Sequence, residues 1–167
     1  MREGMVVLTG GVRSGKSRRA LELAAPHAPK IFLATATPSD DEMRDRIAAH
    51  QSERDASWTT LEEPLHLDSV LRSHRNGAIV IDCMTLWLAN ALDASLDIDA
   101  SLDTIVAAAR ERDGLTIFVT NEVGWGIVPE YESGRRYRDL AGAMNQRLAR
   151  AADAVELLVA GLSLRLK

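Results

Sequence analysis

The stretch Met5-Val6-Val7-Leu8-Thr9-Gly10-Gly11-Val12-Arg13-Ser14-Gly15-Lys16-Ser17 decides the fold. Its first five residues form a short apolar run rich in β-branched side chains, which predicts a buried strand. Gly10 to Ser17 then matches the phosphate-loop pattern G-x-x-x-x-G-K-[ST], placed between that strand and a predicted helix. The glycines let the backbone N–H groups of Gly11, Val12, Arg13 and Ser14 turn inward around a polyphosphate, and the helix N-terminus adds its positive end. Lys16 is then the point charge for the β- and γ-phosphates, and Ser17 offers a hydroxyl to Mg²⁺.

Outward from this loop, strands and helices alternate. A helix is predicted over 16–25, stopped by Pro26 and Pro29, and a strand over 30–36. Ser39 and Glu42 form a capping-box pattern that starts a helix near Asp40, with Met43, Ile47 and His50 on one face. Further strands are predicted at 57–62, 78–83, 115–120, 154–160 and 162–166, and further helices at 65–74, 84–92, 101–112 and 135–152. Residues 121–134 read as a loop. The run from Ala78 ends in Asp82, the position where a second, metal-orienting carboxylate is presented in phosphate-loop domains. Asp93 to Ile98 is echoed by Asp99 to Thr104, a local duplication with no function assigned. Such alternation predicts an α/β domain of three layers, with a mainly parallel sheet and the nucleotide at the carboxyl ends of its strands. No linker or composition shift divides residues 1–167, so one domain is expected.

Composition excludes several classes. With 20 Lys+Arg against 24 Asp+Glu, the net charge of −4 opposes a nucleic-acid binder, which needs a basic face. Two Phe, three Trp and two Tyr leave little for base stacking. Cys83 alone makes neither an internal disulfide nor a Cys-rich zinc site, and a reducing cytoplasm is the expected compartment. No run approaches the roughly 18 apolar residues of a membrane span, and the short apolar stretch before Gly10 is too small for a signal-peptide core.

The longer strings are more specific than the phosphate loop. Ala34-Thr35-Ala36, Asp41-Glu42-Met43 with Arg46-Ile47 and His50, and Trp58 followed by Glu62 stand in order along the chain. They are followed by Asn121-Glu122-Val123-Gly124-Trp125-Gly126-Ile127-Val128-Pro129-Glu130, then Arg138-Asp139, then Asn145-Gln146-Arg147-Leu148. Together with Gly10 to Ser17 they resemble the bifunctional adenosylcobinamide kinase / adenosylcobinamide-phosphate guanylyltransferase family of cobalamin biosynthesis, over nearly the whole chain.

The resemblance implies a RecA-like phosphate-loop domain, assembled as a homotrimer, that runs two reactions. A nucleoside triphosphate, ATP or GTP, phosphorylates the aminopropanol hydroxyl of adenosylcobinamide. GMP from GTP then joins adenosylcobinamide phosphate, giving adenosylcobinamide-GDP and pyrophosphate through a guanylylated histidine. The matching position is His50, and a neutral imidazole nitrogen is a competent nucleophile at phosphorus. A helix C-terminus would favour the imidazolium by about 0.3–1 kcal/mol, so Arg46, one turn earlier, is the expected offset. The resemblance also places Gly10 to Ser17, Ala34, Thr35, Ala36, Gln51, Ser52, Glu53, Arg54, Glu62 and Asp82 around the nucleotide, with Ser17 and Asp82 at the metal. Arg13 and Arg54 are candidates to steady charge on the α-phosphate. Glu62 would accept hydrogen bonds from the N1–H and amine of guanine. Two departures stand out: Ala49 precedes His50 where some members pair histidines, and Asp82 replaces a Glu found in others. Trp125, between glycines, is a candidate wall for the corrin ring. His27, His66 and His74 carry no assigned role.

Three other readings stay open at this point. They are a guanylyltransferase without the kinase half, another small-molecule kinase of the phosphate-loop class, and a switch protein gated by nucleotide hydrolysis.

Overall fold

The computed structural model describes residues 4–36 and 54–167. Strand β1 (Met5–Gly10) leads into helix α1 (Lys16–Ala24) and strand β2 (Lys30–Ala34). Beyond residue 54 come β3 (Trp58–Glu62), α2 (Leu67–Ser73), β4 (Ala78–Asp82), α3 (Met84–Asp93), α4 (Ile98–Arg110) and β5 (Leu115–Val119). A 3₁₀ turn (Val123–Trp125), α5 (Glu132–Ala151), β6 (Ala154–Val159) and β7 (Leu162–Arg165) complete it. The sheet runs β3-β2-β4-β5-β1-β6-β7, parallel throughout except for the final β6–β7 hairpin. The expected capping box at Ser39 and Glu42, and the helix carrying Met43, Arg46, Ile47 and His50, lie outside the described residues.

The central strands are mostly apolar and almost wholly buried because both faces are covered. Ile79 and Ile81 of β4 face one cluster, with Leu67, Leu71, Met84, Trp87, Leu102, Ile105 and Leu148 from α2 to α5. Ala78 and Val80 face the other, where Ala20 and Ala24 of α1 pack. Alternation along one strand thus builds three layers. Trp87 is fully buried, and its indole N–H donates to Leu65 O at 2.9 Å, so it is a core side chain.

The structure shifts several expected boundaries. β2 ends at Ala34, which frees Thr35 and Ala36 for the loop beyond it. α4 begins at Ile98 because Asp97 caps it, its carboxylate accepting from Ala100 N at 3.0 Å. The two near-identical strings therefore diverge: the first closes α3 and turns at Ser95 with φ 55°, while the second lies within α4. α5 begins at Glu132 and absorbs the end of the expected loop, so Arg135, Arg136 and Arg138 do not open the helix. Arg135 instead donates to Pro129 O at 3.1 Å and Glu130 O at 2.5 Å, and Arg138 pairs with Asp139.

One ion pair fastens α1 to the sheet. Arg19 donates to both carboxylate oxygens of Glu156 on β6, at 2.8 and 2.9 Å. This hydrogen bonding, with the guanidinium charge, holds the Glu156 carboxyl below its usual range. A depressed carboxyl contributes stability above the unfolded pKa of about 4.3 and loses it as pH falls through the lower folded value. Thermal melts of wild type and Glu156→Gln should differ at pH 7 and converge as pH drops below about 4; a gap that persists in acid would contradict the assignment.

Candidate active site

The site forms where β1 ends. Gly10 (φ 145°) and Gly15 (φ 99°) sit in backbone conformations that a β-carbon resists. Space is also tight, since a β-carbon on Gly10 would fall 2.3 Å from Leu158 O. Between them Gly11, Val12 and Arg13 are exposed, Arg13 at φ 54°, while Ser14 is buried. Lys16 opens α1 and curls into the loop, its ammonium donating to Gly11 O at 2.5 Å and to Gly10 O and Ser14 Oγ at 3.3 Å. Burial pulls its pKa below the ordinary value, with the Asp82 charge opposing. The ammonium is thus held inside the loop by two carbonyls and a hydroxyl, and a polyphosphate cradled there would compete for the same three donors.

Asp82 closes β4, one strand beyond β5 from the phosphate-loop strand. Ser17 Oγ donates to Asp82 Oδ2 at 2.7 Å, joining the two residues that the sequence assigns to a metal. Their oxygens are the hard donors that Mg²⁺ prefers, and a Mg²⁺ bound with phosphate and water needs few protein ligands. Among the described residues no cluster of three or more His, Cys, Asp or Glu side chains is placed to hold a metal ion.

The ends of β2 and β3 lie on the Asp82 side. Ala34 is in register with Glu62, which is exposed, and Glu63 N donates to Ala34 O at 3.0 Å. Thr35 is fully buried and works as a latch. Its hydroxyl donates to Cys83 O and accepts from Cys83 N, both at 2.8 Å, while Asn90 holds its carbonyl at 2.8 Å. What this segment offers a ligand is therefore the wall of Ala34 and Ala36. Glu63, not Glu62, caps the following turn through Leu65 N and His66 N, which leaves Glu62 outside that turn's hydrogen bonds. Arg54 stacks 3.8 Å from the Phe32 ring centre and donates to Thr60, which places it beside β2 and β3. His50, Gln51, Ser52 and Glu53 lie outside the described residues.

Sequence reading missed a polar network behind the loop. Thr9 and Asn145 both donate to Glu122 Oε1, at 2.5 and 3.1 Å, and Asn145 Oδ1 accepts from Thr120 at 2.7 Å. Asn121 donates to Thr85 Oγ1, and Tyr137 to Thr85 O, each at 2.8 Å. The Asn121-Glu122 and Asn145 motifs were visible as strings, but nothing in the sequence said that they brace each other. The network fixes the segment after β5 against Gly10, whose carbonyl accepts from Glu122 N at 3.2 Å. Beyond it Val123, Trp125, Ile127, Val128 and Tyr131 are exposed, Ile127 at 98%.

A phosphate loop on β1, an acid on β4 and one strand between them define a RecA-like phosphate-loop domain. The fold of the flagellar accessory protein FlaH of Methanocaldococcus jannaschii agrees, with a TM-score of 0.57 at 13% identity over 98% of this chain and 78% of that one. An ATPase of a bacterial type III secretion system gives 0.56 at 11% identity, over 97% of this chain and 56% of that one. Within this class the chain belongs to the cobinamide kinase / cobinamide phosphate guanyltransferase family of enzymes, whose model matches residues 6–166. It is 43% identical over 166 residues to the bifunctional adenosylcobalamin biosynthesis protein CobP of Pseudomonas aeruginosa, covering 96% of each chain. It is 38% identical over 180 residues to CobU of Salmonella typhimurium, covering 98% of this chain and 99% of that one. Among the described residues no helix is long and apolar enough to cross a membrane.

Proposed function

We propose that this chain, as a single domain, phosphorylates the aminopropanol hydroxyl of adenosylcobinamide and then converts the phosphate ester to adenosylcobinamide-GDP. The observation that carries this reading is the Ser17–Asp82 contact at the head of the Lys16 loop, in a chain of this family. In the first step the hydroxyl oxygen bonds to the γ-phosphorus of ATP or GTP, the bridging P–O bond breaks, and the nucleoside diphosphate leaves while the hydroxyl proton passes to solvent. In the second, a His50 ring nitrogen attacks the α-phosphorus of GTP and expels pyrophosphate. An oxygen of the phosphate ester then displaces histidine from that phosphorus. Lys16 and the loop amides hold the β- and γ-phosphates in both steps, which orients the in-line attack. Ser17 and Asp82 would hold Mg²⁺, which neutralises charge on the phosphate oxygens when bound. Glu62 would read guanine beside Ala34 and Ala36, with Gln51, Ser52, Glu53 and Arg54 nearby.

Trp125, Ile127 and Val128, anchored beside Gly10, supply apolar surface for the corrin ring. The exposed Leu164 on the edge strand β7 and Leu166 just after it support self-association, as the expected homotrimer requires. A cytoplasmic location goes with this role.

The test supplies adenosylcobinamide phosphate and GTP to the pure enzyme. Release of pyrophosphate in step with adenosylcobinamide-GDP is expected, and hydrolysis of GTP without that product would refute the reading. Asp82→Asn should keep the fold and lower Mg²⁺-dependent turnover by about 10²; unchanged turnover would remove Asp82 from the metal site.

A further inference from the structure

One phosphate loop must serve two reactions that strike opposite ends of a triphosphate. A cavity of about 230 Å³ bears on how this is arranged. It lies against the flank of the loop away from Asp82, between the first turn of α1 and the β6–β7 turn, lined by Gly15, Arg18, Leu158, Leu162 and Ser163 among others. The hairpin is tied to the loop, since Gly161 N donates to Ser14 O at 3.0 Å and a β-carbon on Gly15 would stand 3.2 Å from Gly161 Cα. The turn itself bends through Ala160 (φ 51°) and Gly161 (φ 82°). Above it lies the Arg18 guanidinium, with Nη2 3.4 Å from where a Gly161 β-carbon would be.

Arg19 is committed to Glu156, whereas Arg18 makes a loose, exposed pair with Glu22 at 3.9 Å. Such a pair is worth little and yields its guanidinium readily. Leu162, 76% exposed, stands at the mouth. A planar cation and an apolar side chain bordering a slot beside a phosphate loop suit a purine ring. The volume is below the roughly 300–1,000 Å³ of pockets that enclose whole ligands, so it suits a base alone.

The sheet order puts this flank and the Glu62 flank on opposite sides of β1. We infer that the β6–β7 flank takes the purine base of the triphosphate that donates its γ-phosphate, while GTP for guanylyl transfer lies the other way, base toward Glu62. In the first pose the γ-phosphorus points toward Asp82, and in the second the α-phosphorus lies on that same side. The hydroxyl, and later its phosphate, then meets both reactive atoms in one place. This inference rests on the two-reaction reading above and adds where each nucleotide lies.

The full-length enzyme with Arg18→Ala and, separately, Leu162→Ser tests it. Transfer of labelled γ-phosphate to adenosylcobinamide should show KM for ATP raised about tenfold, while half-saturation of GMP capture from α-labelled GTP moves less than twofold. Photolabelling of wild type with 8-azido-ATP should mark the peptide holding residues 158–163. Equal losses in both assays, no loss in either, or labelling confined to residues 54–62 would overturn it. If the wild type captures no GMP, the guanylyl-histidine reading falls, and the photolabel still judges the flank by itself.

Discussion

Lys16→Met is expected to abolish phosphoryl transfer and guanylyl transfer together, each falling by about 10³. The substituted side chain keeps the length and packing of the stem, so the fold should survive. What disappears is a cation whose three donors face Gly10 O, Gly11 O and Ser14 Oγ inside the loop. Both reactions need the β- and γ-phosphates anchored, one to present the γ-phosphorus and the other to stabilise departing pyrophosphate. The loss should therefore appear in kcat for both and be of similar size. Single-turnover rates with γ-labelled and α-labelled GTP check this directly. A variant that loses one reaction and keeps the other would separate the two phosphate sites and contradict a shared loop.

The second large effect lies at the opposite end of the sheet and concerns stability. Arg112 is fully buried, and its guanidinium donates to five oxygens: His74 O, Leu115 O, Thr116 Oγ1, Asn76 O and Gly77 O, at 2.6 to 3.1 Å. Three of these oxygens belong to the turn before β4 and two to the first residues of β5, and the turns that lead into the two strands press together so closely that a β-carbon on Gly114 would fall 2.0 Å from Gly77 O. Arg112→Met keeps much of the volume and leaves those acceptors in place without their donor. Each unsatisfied buried group costs about 1–3 kcal/mol, and partial relaxation brings the expected total to about 3–4 kcal/mol. At this chain length that lowers Tm by about 10 °C. Calorimetry measures it, and a shift under about 2 °C would show that water replaces the guanidinium without cost. Nucleotide affinity at temperatures well below the transition should be unchanged, because the catalytic loop sits at the other end of the strands.

Arg112 also shows where the sequence was legible and where it was not. Strand–helix alternation, the phosphate loop and Asp82 could be read in advance because each depends on local spacing: apolar runs of strand length, glycines at fixed offsets, an acid at a run's end. Arg112 could not, since a charged residue before Asp113-Gly114 looks like an ordinary helix end, and its five acceptors come from segments brought together by the sheet. The same holds for Glu122 and Asn145, which meet only because β5 and α5 lie side by side behind β1. The paired strings at Asp93 and Asp99 make the point in reverse. They share the sequence Asp-Ala-Ser-Leu-Asp and adopt different structures, because the first must turn the chain between α3 and α4. The start of α5 was misplaced for a related reason: nothing local marks Glu132 as helical, and Arg135 takes up the carbonyls of Pro129 and Glu130 only once the loop has folded back.

One chain is expected both to bind nucleotide through Lys16 and to carry GMP on His50. The most direct measurement incubates the pure protein with Mg²⁺ and GTP labelled at the α-phosphate, denatures it, and counts retained label in wild type and His50→Ala. Acid-labile, base-stable label is expected in the wild type and none in His50→Ala. Label that survives the substitution, or a wild type that retains none at any pH while still consuming GTP, would contradict it.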